Sequence, residues 1–293
     1  MKVTFVIPAK AGISFPSLGR WQGRSGIPAF AGMTGFCLLL ALLLASCTRE
    51  RVLTVCADPN NLPFSNRAGQ GFENRLAGLI ARDLGARLDY VWWAQRRGFV
   101  RSTLNEGRCD LWPGIASSVD RLATSRPYYR STYVFVTRAG DRLDGLTLDD
   151  SRLRRLRIGV QMVGDDGSNT PPAHALSRRG IVANVRGFML YGDYRQPDPP
   201  AAIVRAVAAG EIDVGLVWGP LAGFFAPRAP VPLRLQPVTP WLDDANWPMV
   251  YDISVGVRRG DTRLLSQVDR VLAGRHAEIE ALLDLYHVPR ANP

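Results

Sequence analysis

The chain has 293 residues, of which 46% are hydrophobic and 21% charged, and its formal net charge is +10. That balance fits one or two packed domains and excludes a disordered chain, a collagen, a coiled coil, a disulfide miniprotein and a multi-pass membrane protein. Both lysines fall in residues 1–46, which contain no acid; beyond them 32 arginines face 26 acids with no run of five, so nucleic acid is not an expected partner.

Residues 1–46 come first and stand apart. Ile7–Ile13 (IPAKAGI) returns as Ile27–Met33 (IPAFAGM), two copies too few to stack as a solenoid. They read as a translated repetitive DNA element, so translation is expected to start later, with Met33 one candidate. Phe36–Leu44 is an apolar run of signal-peptide length, short of the roughly 20 residues that a membrane-spanning helix needs. It ends in Leu44-Ala45-Ser46-Cys47, which matches the lipobox of bacterial lipoproteins, where the Cys47 thiol is acylated. An ordinary secretory signal with an incidental cysteine is the alternative. Either route exports the chain, and the expected location is periplasmic, with a lipid anchor in the membrane on the first reading.

The exported body opens with Val52–Ala57, a β-branched run that meets turn residues at Asp58-Pro59-Asn60-Asn61. Phe72, Leu76, Leu79, Ile80 and Leu84 then recur at helical spacing, with Gly85 placed to end the helix. Leu88–Trp92 reads as a strand, Phe99–Leu104 as a helix stopped by Gly107, and Cys109–Ile115 as a third strand. Tyr133–Thr137 is a strand that crosses out of this unit. The same grammar then returns as strand Leu156–Gln161, helix Pro171–Arg178, strand Ile181–Val185, helix Pro200–Ala208 and strand Ile212–Trp218. Leu233–Val238 and Ile253–Val257 bring the chain back, and two helices separated by Gly274 close it. The fold class is therefore α/β, in two lobes with a hinge and a central cleft. Lobe 1 is expected over residues 52–138 plus 245–290, and lobe 2 over 142–238.

On that architecture Cys56 ends the first strand and Cys109 starts the third. In a 2-1-3 strand order they are neighbours, so a disulfide is geometrically possible, with two buried thiols as the alternative. Chemistry-bearing motifs are sparse: there is no nucleophile elbow, phosphate-binding loop or dinucleotide glycine fingerprint, and His174, His276 and His287 are scattered. Neither catalysis nor a bound cofactor or metal is expected.

Gly71-Phe72-Glu73, Asp110–Ile115, Ser118–Arg121, Pro127-Tyr128-Tyr129, Ile158–Gln161 and Val255–Arg258 together resemble the type II periplasmic solute-binding proteins of the amino-acid class. The resemblance covers residues 52–289 and implies the two-lobed fold. In that family an arginine at the place of Arg121 clamps the ligand carboxylate, and a carboxylate after the last strand of lobe 2 holds the ammonium. Here that strand runs into Trp218-Gly219-Pro220. Val55–Ser65, the Gly164–His174 loop, Arg126–Tyr133 and Met249–Ser254 resemble one subgroup, the accessory proteins associated with quinoprotein dehydrogenases, among them the accessory J proteins of methanol dehydrogenase. The resemblance implies assistance in assembly or activation of a dehydrogenase that uses pyrroloquinoline quinone, with that enzyme as protein partner. The alternative is a substrate-binding protein of an ABC transporter, holding a small anionic or aromatic ligand in the cleft.

The residues read as follows. Asp58, Asn60 and Phe64 lie just past the first strand, where open α/β sheets place ligands, or else form an Asx turn with a packed aromatic. Asn169 and Thr170 are expected to cap the helix at Pro171, whose free N–H groups can also meet an anion. Asp165 and Asp166 oppose an anion and favour a cation or a partner's arginine. Trp218 walls the cleft or fills core; Arg121 clamps a carboxylate or makes a structural ion pair.

Overall fold

The computed structural model describes residues 50–291 except 97, 118, 120, 164–167, 192–193 and 244–246, with no side chain described at 163, 168 or 169. The signal segment, Cys47, Asp165 and Asp166 lie outside the described residues. The first half runs β1 (Val52–Ala57), the two-residue strands β2 (Asn60–Asn61) and β3 (Ser65–Asn66), α1 (Phe72–Asp83), β4 (Arg87–Trp92), α2 (Phe99–Ser102), β5 (Leu111–Ala116), β6 (Ala123–Thr124) and β7 (Tyr129–Arg138). The second runs β8 (Ile158–Val163), β9 (Ser168–Asn169), α3 (Pro171–Arg178), β10 (Val185–Met189), α4 (Ala202–Ala208), β11 (Val214–Trp218), α5 (Gly219–Phe225) and β12 (Leu233–Pro237). β13 (Val250–Val257), α6 (Thr262–Gly274) and α7 (His276–Leu285) complete the chain.

The main sheet orders its strands β10-β8-β11-β7-β13-β5-β1-β4. Each end is a parallel 2-1-3 set: β1 lies between β4 and β5, and β8 between β10 and β11. β7 and β13 run antiparallel to one another and join the two sets. α1 forms because Phe72, Leu76, Leu79 and Ile80 fall on one face and bury there. Gly85, with φ +58°, ends it in a left-handed turn that a side chain would strain. At α6 the Asp261 carboxylate caps the helix by accepting from the N–H of Leu264 at 3.2 Å.

Two expectations need correction. The Ile181–Val185 run is not a strand: Ile181 donates its N–H back to Leu176 and closes the end of α3, and pairing begins only at Val185. The helix expected over Phe99–Leu104 is one turn long. The segment after Trp218 is a helix, α5, because Pro220 stands in its first turn, where a missing N–H costs nothing.

A core shared by both halves runs from Leu53 and Phe72 to Ile203, Val217 and Phe225. An aromatic chain threads it: Phe72 meets Tyr286 edge-on at 5.8 Å, and Tyr286 stacks on Phe224 at 5.6 Å. Separate cores fill the other sheet face under each half. Cys56 and Cys109 form a disulfide with Cα atoms 5.6 Å apart, as neighbouring strands allow.

Candidate functional site

Each half carries, at or near the carboxyl end of its first strand, a buried polar side chain that gathers neighbouring segments. At β1 this is Asp58, 2% exposed. Its carboxylate accepts the N–H of Asn60 at 2.8 Å and that of Gln95 at 2.7 Å, while its carbonyl accepts the Ser65 hydroxyl at 2.8 Å. Burial raises its pKa, opposed by the two backbone N–H bonds. At β8 the residue is Gln161, also 2% exposed. Its side-chain oxygen accepts the N–H of Trp218 at 2.8 Å and its carbonyl accepts the Thr170 hydroxyl at 2.9 Å. The sequence expectation that Thr170 caps α3 through its side chain is thereby corrected: its hydroxyl points back to β8, and no side-chain cap bond forms.

Trp218 meets Tyr133 edge-on at 5.2 Å and Tyr251 at 6.0 Å, so the end of β11 presents an indole packed among phenols. Behind them sits Glu73, on the first turn of α1 and 6% exposed. Burial pushes its carboxyl up to about 8. Tyr128 and Tyr129 are held protonated well above their usual value by burial, and Glu73 adds to the shift. Gly114, at φ +79°, admits the Glu73 carboxyl to this place, because any Cβ there would overlap it. Among the described residues the Tyr128 hydroxyl and the Gln161 side-chain nitrogen are buried without a hydrogen-bond partner. Glu73 and Gln161 were not singled out in the sequence; both stood inside family-like strings, and nothing local marks a glutamate on an amphipathic helix as buried.

Asn60 stands at the rim. Its side-chain nitrogen donates to the carbonyl of Gln196 at 3.0 Å, a bond between the two halves. Beside it a cavity of about 860 Å³ opens between the Pro59–Asn60 turn, the Trp92–Ala94 segment after β4 and the Tyr194–Asp198 segment after β10. Phe64, 8% exposed, packs edge-on against Phe72 at 5.4 Å, within the shared core. Arg121 is exposed in the turn before β6 and does not line this cavity. Asn169 pairs through its backbone with Met162. The structure thus brings Asp58, Asn60, Trp218 and Thr170 to the strand ends and places Phe64 in the core and Arg121 on the surface. Among the described residues no helix is long and apolar enough to cross a membrane.

Comparison with known proteins agrees with this arrangement. Residues 53–287 match the model of the bacterial extracellular solute-binding proteins, family 3. The chain is 33% identical over 249 residues to Protein MoxJ of Methylorubrum extorquens, covering 81% of each. Its fold matches the crystal structure of the periplasmic binding protein XoxJ from Methylobacterium extorquens AM1, with a TM-score of 0.67 and 36% identity over 83% of this chain and 100% of that one. It also matches MxaJ from Methlophaga aminisulfidivorans MPT, with a TM-score of 0.71 and 27% identity over 82% of this chain and 100% of that one. On the extent of these matches, the chain belongs to the bacterial extracellular solute-binding proteins, family 3.

Proposed function

We propose that this chain is a periplasmic, non-enzymatic accessory that assists assembly or activation of a methanol-type dehydrogenase using pyrroloquinoline quinone, tethered to the membrane by a lipid on Cys47. On this reading residues 52–138 plus 245–290 form lobe 1 and 142–238 form lobe 2. The observation that carries it is how the chain fills the ground between its own strand ends. Where the resembled amino-acid receptors keep a carboxylate for an ammonium, Trp218 stands packed between Tyr133 and Tyr251. A receptor that must open and close around a solute gains little from filling that ground with its own rings. The likeness to MoxJ, XoxJ and MxaJ supports the choice of partner.

Deleting the gene and assaying quinone-dependent dehydrogenase activity in the periplasmic fraction tests the reading, together with affinity capture on the tagged protein. Lost activity and a captured dehydrogenase are expected. Unchanged activity with no dehydrogenase captured, alongside impaired uptake of a solute, would replace this reading with a transport role.

A further inference from the structure

We propose that the outward ridge of α6, with Arg51 beside it, is the face this protein lays against an anionic phospholipid bilayer. This rests on the Cys47 tether of the accessory reading and adds to it which side of the molecule the tether turns to the membrane.

α6 buries Leu264, Val268, Val271 and Leu272, so its opposite side faces outward. That ridge reads Arg263, Ser266, Arg270 and Ala273, all exposed: two cations two turns apart, small residues around them and no acid. Arg51 stands alongside. Its guanidinium donates to the Gln267 side chain on α6 at 2.8 Å and to the Leu84 carbonyl at 3.3 Å. The nearby acids are engaged: Asp83 with Arg275 at 2.7 Å and Glu50 with Arg87 at 3.4 Å, each pair cancelling its own charge. Asp110 and Asp261 share Arg258, at 3.5 and 3.8 Å, and leave one negative charge. Asp269 turns to the far flank of α6 and accepts the Arg126 N–H at 2.8 Å. Against those two negative charges stand the exposed Arg51, Arg126, Arg259, Arg263 and Arg270, whose side chains meet no carboxylate among the described residues. The excess around α6 is therefore three positive charges.

The sequence supplies a reason why a membrane is the occupant. Arg51 is four residues from Cys47, and four residues extend at most about 14 Å, so acyl chains on Cys47 hold a bilayer surface within that reach of Arg51. Headgroups bearing phosphate anions match an arginine ridge in charge. Each arginine brought to an anionic surface strengthens the contact roughly fivefold, and the attraction fades beyond roughly 8 Å. A lipid anchor alone fixes no orientation, whereas a charged ridge beside the anchor does. β1 begins next to this ridge and runs six residues away from it, so the Asn60 rim stands about 20 Å farther along the strand, where a soluble partner can reach it.

The test places the purified protein in vesicles of phosphatidylglycerol and phosphatidylethanolamine. A fluorescent donor is carried at Ser266→Cys on α6 or at the exposed Ser151→Cys in the second half, with an acceptor on the lipid headgroups. Energy transfer from the α6 label at least about twofold above that from the other is expected. The difference should vanish in phosphatidylcholine vesicles, at high salt and in the double variant Arg263→Gln with Arg270→Gln. Equal transfer from both labels, or a difference indifferent to lipid charge, salt and the double variant, would overturn the inference. Mass spectrometry of the Cys47 peptide separates the ridge from the tether. If that cysteine is not acylated, the tether fails, and sedimentation of the protein with the same vesicles decides the ridge. Binding at least about tenfold tighter to the anionic vesicles than to phosphatidylcholine, and lost in the double variant, upholds it; equal binding or none overturns it. If no dehydrogenase is captured, the accessory role fails and this face stands on the transfer result.

Discussion

The two halves of the sheet share one strand order and cover their outer faces by different means. In the first half, six buried apolar residues among those described, Cys56, Phe99, Leu104, Cys109, Ile115 and Leu122, pack with the single turn of α2, and a disulfide stitches β1 to the approach to β5. In the second half, thirteen such residues, from Phe135 to Met249, pack with the eight-residue α3, and the sequence there contains no cysteine. Apolar burial contributes about 25 cal/mol per Å² removed from water, so a small cluster holds its strands weakly. A covalent link acts instead on the unfolded chain, whose loop it closes in advance, and needs no area. An exported chain can use that device where a cytoplasmic one cannot.

Breaking the stitch should have the largest effect. The bridged cysteines are 53 residues apart, and removing a link across such a loop with Cys56→Ala and Cys109→Ala is expected to cost about 4 kcal/mol in denaturant unfolding. A loss below about 1 kcal/mol would mean that the small cluster holds itself, and the contrast between halves would fail. The matching change in the second half is Leu176→Ala, at a side chain with no exposure, expected to cost about 3 kcal/mol by the same measurement.

The shared core between the halves supplies a third contrast, because it buries a titratable group. Burial pushes the Glu73 carboxyl up to about 8 from an ordinary 4.5. Between those values the unfolded chain has released a proton that the folded chain keeps, so this group makes stability fall as pH rises through the window. Glu73→Gln removes this dependence, so its effect on stability is expected to be more favourable at pH 8 than at pH 4 by up to about 4 kcal/mol. Thermal unfolding at the two pH values checks this; an equal effect at both would mean that the carboxyl titrates normally.

The lattice of strands and helices was legible because period-two and helical spacing survive in each segment, and because Gly85, Gly107, Gly180 and Gly210 punctuate them at positive φ. The 2-1-3 order made the disulfide possible by putting Cys56 and Cys109 on neighbouring strands, and the structure decides for it over two buried thiols. What misled was local propensity overruled by context. Ile181 is β-branched, yet its side chain closes α3 over the second core, 4% exposed. Thr170 stands at a helix start, yet its hydroxyl finds the Gln161 carbonyl first. The position of Asp58, Asn60 and Trp218 at strand ends was legible, because the carboxyl ends of strands can be counted off. Glu73 and the cavity beside Asn60 were not, because burial and juxtaposition arise from segments far apart in the chain: Arg67, Trp93 and Arg195 come to line one cavity only once both halves have folded.

The smallest effect expected is also the one that asks what joins the halves. Asn60 donates to the Gln196 carbonyl at 3.0 Å, at an exposed rim where water competes for both groups. Such a bond is worth about 0.5 kcal/mol, and Asn60→Ala should cost no more in global stability. The halves are already joined by β7 and β13 and by the aromatic chain of Phe72, Tyr286 and the half-buried Phe224, none of which depends on the rim. Amide hydrogen exchange should therefore quicken in the Tyr194–Asp198 segment of Asn60→Ala and stay unchanged in β1 and β8, the signature of a loosened edge on an intact framework. A global loss above about 2 kcal/mol, with faster exchange in both strands, would mean that the polar rim and not the aromatic core holds the two halves together.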